Sequence, residues 1–374
     1  MGKKIKVLLT GGGTGGHIYP ALAIAQGIKA KYPQTEFFYI GTKRGLEADI
    51  VTKAGIKFKA ITAEGLTRKI SWPAARTALK TFRGFSEAAM IIRKFKPHVV
   101  VGTGGYVCGP VIMAAHFLHI PTIIHEQNAF PGLTNKLLAR FVDRICYTFP
   151  ECTRFFKTKA SLYHTGLPIR REIIETSREQ GAKKLQMDPN KINILVVGGS
   201  QGAQKINETI FKLYPFFKET PTVNLLHLTG KKGYEQLLGE AKQQGIKLDD
   251  YDNITIRPYI YDMENALAAA DFVISRSGAS FLAEVMAKGL PSILIPYPYA
   301  SENHQEHNAR ALEKKGAAIV ILEKELNEKI LLQNILDLIV GKEKRSAMSK
   351  ASFSLGKPDA LEEITTLILE LTGS

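Results

Sequence analysis

The sequence predicts an α/β protein built from two doubly wound parallel-sheet domains. Three observations predict it: short apolar runs alternating with helix-like stretches, a glycine-rich turn after the first run of each half, and a length of 374 residues, enough for two ordinary cores. The runs fall near residues 5–10, 36–40, 98–101, 121–124 and 144–147, and again near 192–197, 223–229, 254–256, 272–275 and 292–295. Apolar runs of this length suit strands covered on both faces. Between the two series, His164-Thr165-Gly166-Leu167-Pro168 combines glycine with proline and marks a hinge. The expected division is 1–164 and 165–357, with a last helix within 358–374 packing back on the first domain.

The first turn is Gly11, Gly12, Gly13, Thr14, Gly15, Gly16 and His17; the second is Gly198, Gly199, Ser200, Gln201 and Gly202. Glycine permits positive φ and close backbone approach, and the following helix offers unpaired N–H groups with partial positive charge, so each turn suits a phosphate or diphosphate. Gly11, Gly13 and Gly16 also satisfy GxGxxG, the dinucleotide fingerprint. A dehydrogenase is set aside because its ribose-binding acid belongs at the end of the second strand, where this chain has Ile40-Gly41-Thr42. Further strand ends carry Gly102-Thr103-Gly104-Gly105-Tyr106, His125-Glu126-Gln127-Asn128, and Ser277-Gly278-Ala279-Ser280-Phe281-Leu282-Ala283-Glu284.

Composition narrows the class further. Three widely spaced cysteines, Cys108, Cys146 and Cys152, fit neither a disulfide framework nor a zinc site and imply a reduced, cytoplasmic protein. The stretch 97–125, free of Lys, Arg, Asp and Glu, is long enough to span a bilayer, but its glycines, histidines and prolines read as strand, loop and buried helix. No export signal or lipid anchor is expected at the start of the chain. The net charge is +15, unevenly placed: residues 1–164 hold 24 Lys+Arg against 8 Asp+Glu, and the remainder 26 against 27. A basic first half attracts nucleic acid, anionic lipid or phosphorylated substrates alike.

Taken together, the glycine turns, the His125–Asn128 cluster, the Ser277–Glu284 segment and Asn308-Ala309 closely resemble the MurG family of cell-wall N-acetylglucosaminyltransferases. The resemblance covers most of the chain. It implies the GT-B architecture, two Rossmann-like domains facing a cleft. It also implies an inverting transfer of N-acetylglucosamine from UDP-GlcNAc to lipid I (undecaprenyl-pyrophosphoryl-MurNAc-pentapeptide), forming lipid II. By that resemblance Thr14, Gly15 and Gly16 serve the acceptor side, and His17 is the candidate general base. On the donor side, Ser200 binds the diphosphate. The 279–282 turn (Ala279, Ser280, Phe281, Leu282), continuing into Ala283, supplies helix N-terminal amides for the departing UDP. Glu284 accepts from the ribose hydroxyls, Arg170 contacts the nucleotide, and the backbone of Ile260 reads the uracil edge. Asn128 and Gln305, with His304 a weaker candidate, meet the sugar as neutral, two-sided hydrogen-bonding groups. Many relatives have asparagine where Leu167 stands, so the hinge differs locally.

No cofactor and no metal are expected. Asp250-Tyr251-Asp252 spells the DxD pattern of metal-dependent glycosyltransferases, but it sits in a polar loop away from every glycine turn and reads as a solvated acidic turn. From Arg68 to Lys96 there are eight Lys/Arg against the single acid Glu87, with Trp72, Leu79, Phe82 and Phe85 among them. A helix starting at Pro73 places Arg76, Lys80 and Arg83 on one stripe and Ala75, Leu79 and Phe82 on the next, a pattern suited to an anionic membrane surface. The expected location is the cytoplasmic face of the cell membrane, peripherally. Rival readings are another lipid glycosyltransferase, with a diacylglycerol or other prenyl acceptor, a UDP-GlcNAc epimerase, and a basic nucleotide-binding module. Nucleic acid is not an expected partner, because no aromatic-basic recognition motif is present.

Overall fold

A computed structural model describes residues 4–43, 45–64, 72–199 and 202–373, leaving out the side chains of 72–79 and of Asp249. The chain divides into two compact units, Met1–Pro168 with Pro358–Ser374, and Ile169–Lys357.

In the first unit the strands are β1 (Lys6–Thr10), β2 (Glu36–Thr42), β3 (Lys57–Ile61), β4 (Val99–Gly102), β5 (Thr122–Glu126), β6 (Arg144–Tyr147) and β7 (Ser161–Tyr163). All pair in parallel, in the order β3-β2-β1-β4-β5-β6-β7. The helices between them are α1 (Gly15–Lys31), α2 (Glu47–Lys53), α3 (Trp72–Phe95), α4 (Cys108–Phe117) and α5 (Leu133–Leu138). The central strands are buried throughout: β4 and β5 expose nothing, and β1 only Lys6 in part. Helices cover both faces, which is why these strands read as unbroken apolar runs.

The second unit repeats the plan with β8 (Ile192–Val197), β9 (Val223–Leu228), β10 (Ile254–Arg257), β11 (Phe272–Ser275), β12 (Ser292–Leu294) and β13 (Ala318–Val320), ordered β10-β9-β8-β11-β12-β13. Its helices are α6 (Arg171–Glu175), α7 (Arg178–Leu185), α8 (Gln204–Lys212), α9 (Tyr214–Lys218), α10 (Lys231–Gln243), α11 (Met263–Ala269), α12 (Ala279–Ala287), α13 (His304–Lys314), α14 (Glu328–Val340) and α15 (Lys342–Leu355). The last helix, α16 (Ala360–Leu371), belongs to the first unit. There Ile364 and Ile368 join the core of Leu9, Ile24 and Ile28, and Leu361 and Thr365 leave no room for a side chain at Gly27 of α1.

The strand order reverses between β1 and β4 in one unit and between β8 and β11 in the other. In open parallel sheets ligands bind beyond the carboxyl ends of the strands at such reversals. The turns that follow β1 and β4 flank one reversal; Gly198 and Gly199 after β8 and the start of α12 flank the other. The DxD tripeptide precedes β10, at the opposite strand end from Ile260, with Tyr251 packed on the core under the Lys218 ammonium. Among the described residues no cluster of His, Cys, Asp and Glu is disposed to hold a metal ion, and no helix is long and apolar enough to cross a membrane.

Candidate active site

The corner after β1 is shaped by what presses on it. A Cβ on Gly11 would lie 2.2 Å from the Thr103 hydroxyl, and one on Gly12 2.7 Å from a carboxylate oxygen of Glu47. Glu47 is fully buried; it accepts from the Thr42 amide (2.9 Å) and hydroxyl (2.7 Å), and from the Gly13 amide (3.4 Å). This acid was missed in the sequence. It sits near the place a dinucleotide-binding acid would take, but its oxygens are turned into the protein. The Gly12 amide donates to Gly104 O at 3.2 Å, and those of His17 and Ile18 turn back to Thr14 O. Thr14 is the extended N-cap of the 17-residue α1, whose first turn has no acidic residue. The amides of Gly15 and Gly16 have no partner inside the helix. An anion is favoured there by those amides and by the helix dipole.

His17 is half-buried in the same turn. Its Nδ1 lies 2.9 Å from Gly12 O, and a carbonyl can only accept, so Nδ1 carries a proton and the neutral ring is the tautomer with its lone pair on Nε2. Its own carbonyl accepts from the Thr103 hydroxyl at 2.6 Å. The ring lies against Gly104, where a Cβ would stand 2.7 Å from Cδ2 and 2.9 Å from Nε2; Gly104 also has φ +110°. A side chain there is excluded both by the ring and by the backbone conformation. An imidazole with a fixed tautomer and a basic Nε2 is equipped to take a proton.

The cluster after β5 is largely structural. His125 donates from Nε2 to Gly166 O (2.7 Å) and receives the Gln127 amide at Nδ1 (3.2 Å); burial lowers its pKa to about 4, so it is neutral. Gln127 also donates to Thr103 O at 2.7 Å, joining this corner to the His17 turn. Burial raises the pKa of Glu126, against hydrogen bonds from the amides of Asn128 and Gly132 and the side chains of Asn135 and Asn128. Asn128, half-buried, is thereby held by Glu126 through its main-chain and side-chain N–H groups.

In the second unit, Gly199 (φ +87°) and Gly202 (φ +77°) bend the corner between β8 and α8. Ser200 lies outside the described residues, as do Arg68 and Lys69. The start of α12 has an extended Gly278 as N-cap, no side-chain cap and no acid in its first turn, so Ala279, Ser280 and Phe281 open a helix suited to negative charge. The loop leading into it is tied to α13: Ser277 donates its hydroxyl to Gln305 O (2.7 Å), and Asn308 donates to Ser277 O (3.2 Å). Gln305 Oε1 accepts from the amides of Tyr297 (3.0 Å) and Ser277 (3.3 Å). Its oxygen is thus engaged by two backbone amides. His304 donates from Nδ1 to Ser301 O (2.7 Å), and burial lowers its pKa.

Arg276, also missed in the sequence, braces this loop. Its guanidinium donates to Ile295 O (3.1 Å) and Pro296 O (3.2 Å), pairs with Glu323 and lies over the Tyr297 ring. Arg170 and Glu284 do come together, with Arg170 Nε 3.9 Å from Glu284 Oε1 and Nη1 3.2 Å from Glu264 Oε2. Burial raises the Glu284 pKa to about 7, with Glu264 adding to the shift and Arg170 opposing it. Leu282 and Ala283 are buried on the inner side of α12. Ile260 is 4% exposed, its side chain in one core cluster with Leu195, Val197, Leu226 and Leu228.

Doubly wound parallel sheets, with anion-favouring helix starts at their reversals and a buried carboxylate beside an arginine, define an α/β protein that handles nucleotide-linked groups. Residues 7–147 match the model of the glycosyltransferase family 28 N-terminal domain, and residues 193–364 that of its C-terminal domain. A protein of Desulforamulus reducens is 51% identical over 360 residues, 96% of this chain and 97% of the relative. One of Moorella thermoacetica is 50% identical over 99% of this chain and 100% of its own. Both are named UDP-N-acetylglucosamine--N-acetylmuramyl-(pentapeptide) pyrophosphoryl-undecaprenol N-acetylglucosamine transferase. The crystal structure of Acinetobacter baumannii MurG superimposes with a TM-score of 0.78 at 28% identity, covering 98% of this chain and 99% of that one. The chain belongs to glycosyltransferase family 28, with the two units of the GT-B architecture.

Proposed function

We propose that this protein transfers N-acetylglucosamine from UDP-N-acetylglucosamine to the N-acetylmuramyl hydroxyl of lipid I, forming lipid II for peptidoglycan, with inversion at the sugar carbon. The observation that carries the reading is near-full-length identity of about half to relatives bearing that name. In the reaction the acceptor hydroxyl loses its proton to Nε2 of His17 as its oxygen bonds to the anomeric carbon. The bond from that carbon to the UDP oxygen breaks, and the negative charge leaves with UDP. Helix-start amides of α12 and the Ser200 turn stabilise that charge. The amides of Thr14, Gly15 and Gly16 favour the acceptor pyrophosphate, Glu284 and Arg170 the nucleotide, Ile260 the uracil, and Asn128 and Gln305 the sugar. Incubated with labelled UDP-GlcNAc, the protein should release UDP only when lipid I or a soluble analogue is added. UDP release with diacylglycerol, or epimerisation without any acceptor, would replace this reading by one of its rivals.

The acceptor is a membrane lipid, and the reading extends to peripheral binding at the cytoplasmic face of the membrane. Support comes from the described part of α3. Ala88, Ala89, Ile91 and Ile92 face the core, while Phe82 is 70% and Met90 62% exposed, and Phe117 of α4 is 62% exposed. Phe117 packs edge-to-face on Phe85 at 5.9 Å. The basic stripe expected from the sequence is partly neutralised: Lys80 pairs with Glu64, and Arg83 with Glu87 at 3.0 Å. Apolar insertion therefore carries more of the binding than charge does. Phe82→Ser should lower co-sedimentation with vesicles containing anionic lipid several-fold at unchanged UDP binding; equal sedimentation of the two proteins would remove α3 from the membrane contact.

A further inference from the structure

We propose that Glu264 is a positioning residue of the nucleotide site: it anchors the Arg170 guanidinium so that both oxygens of Glu284 stay available to the ribose hydroxyls of a uridine nucleotide. This rests on the donor reading of Glu284 given above. Three charged groups from separate stretches meet here. Arg170 is the N-cap of α6, Glu264 stands in the first turn of α11, and Glu284 lies within α12. Both carboxylate side chains are 19% exposed and the guanidinium 48%.

The arginine is not shared evenly. It stands 3.2 Å from Glu264 and 3.9 Å from Glu284. Glu264 Oε2 is shut off from solvent and makes no hydrogen bond among the described residues, so the guanidinium is what balances its charge. Taking the arginine away would strand a buried carboxylate, and breaking a pair in that way is strongly unfavourable. The anchor therefore holds. Without it, the guanidinium would close on the one carboxylate left within reach, Glu284, since attraction rises steeply at short range in a poorly solvated site.

An arginine–carboxylate fork occupies both carboxylate oxygens. Those are the acceptors that a ribose diol needs, because each hydroxyl must donate to one. Stability alone does not account for the arrangement. One arginine and one acid would satisfy each other, whereas a second acid adds like-charge repulsion in a pocket where charge is costly. Glu264 also follows Ile260 by four residues, so the same short segment carries the backbone that reads the base and the carboxylate that restrains the arginine.

The test is calorimetry of the intact protein with UDP and with 2′-deoxy-UDP. Wild type should prefer UDP. E264A should weaken UDP binding by about ten-fold more than it weakens 2′-deoxy-UDP, which has only its 3′-hydroxyl contact to lose, so that the preference collapses. In R170A/E264A the preference should return, because no guanidinium is left to cover Glu284. A merely structural role would weaken both ligands alike and would not be repaired by the second substitution. Either that result or an unchanged preference in E264A overturns the inference. Failure of the wild-type protein to bind UDP would instead overturn the donor reading on which it rests.

Discussion

Replacing His17 by alanine should lower turnover by about 10²–10⁴-fold, the range for loss of a positioned general base, while UDP affinity stays as in the wild type. The expectation comes from the tautomer: Gly12 O holds the proton on Nδ1, so in the neutral ring Nε2 is the atom that takes up a proton. Gly104→Ala gives an independent route to the same end. Its methyl would enter the space of Cδ2 and Nε2 at a backbone φ of +110°, displacing the ring without removing it. Both variants are read by UDP release with a lipid I analogue, alongside UDP titration and thermal unfolding to confirm that each is folded. Full turnover in His17→Ala would move the base to another group.

The second large effect is a proton linkage at Glu284. Its carboxyl ionises at about 7 in the free protein because burial outweighs the help from Arg170, and the Glu264 charge adds to the shift. Ribose hydroxyls donate to the ionised form, so binding UDP must expel the proton below that pH. Apparent UDP affinity should fall by about five-fold between pH 7 and pH 6, with one proton released at the acid end. Glu284→Gln should weaken binding by about 1.5–3 kcal/mol and abolish this pH dependence. The sign for folding is the reverse. The native state holds its proton to higher pH than the unfolded chain, whose value is near 4.5, so this group makes the free protein less stable as pH rises from there to about 7. UDP titrations across that range decide the matter: a flat profile in the wild type would take Glu284 out of the ribose contact.

The strands that sequence reasoning located are those buried on both faces, such as β4, β5 and β8, whose composition leaves little alternative. Those it passed over, β3, β7 and β13, are edge strands of the two sheets. Lys57 and Lys59 alternate on the exposed side of β3, and β7 exposes Ser161 and Leu162, so neither reads as an unbroken apolar run. Partner choice was equally hidden. Glu47, Arg276 and Glu264 are ordinary charged residues in the sequence, and nothing local says that they meet Gly13, Glu323 and Arg170.

What could be read from residue order was whatever one short segment imposes. An apolar run must be covered, a glycine corner must precede a helix start, and their repetition in both halves defines two parallel doubly wound sheets with anion-suited ends. Protonation and orientation could not be read in that way. The engaged oxygen of Gln305 and the high pKa of Glu284 depend on groups elsewhere in the chain, or on the exclusion of water by neighbouring elements. Electrostatic and hydrogen-bond energies are set by distance in space and by local solvation, and those exist once the chain has folded.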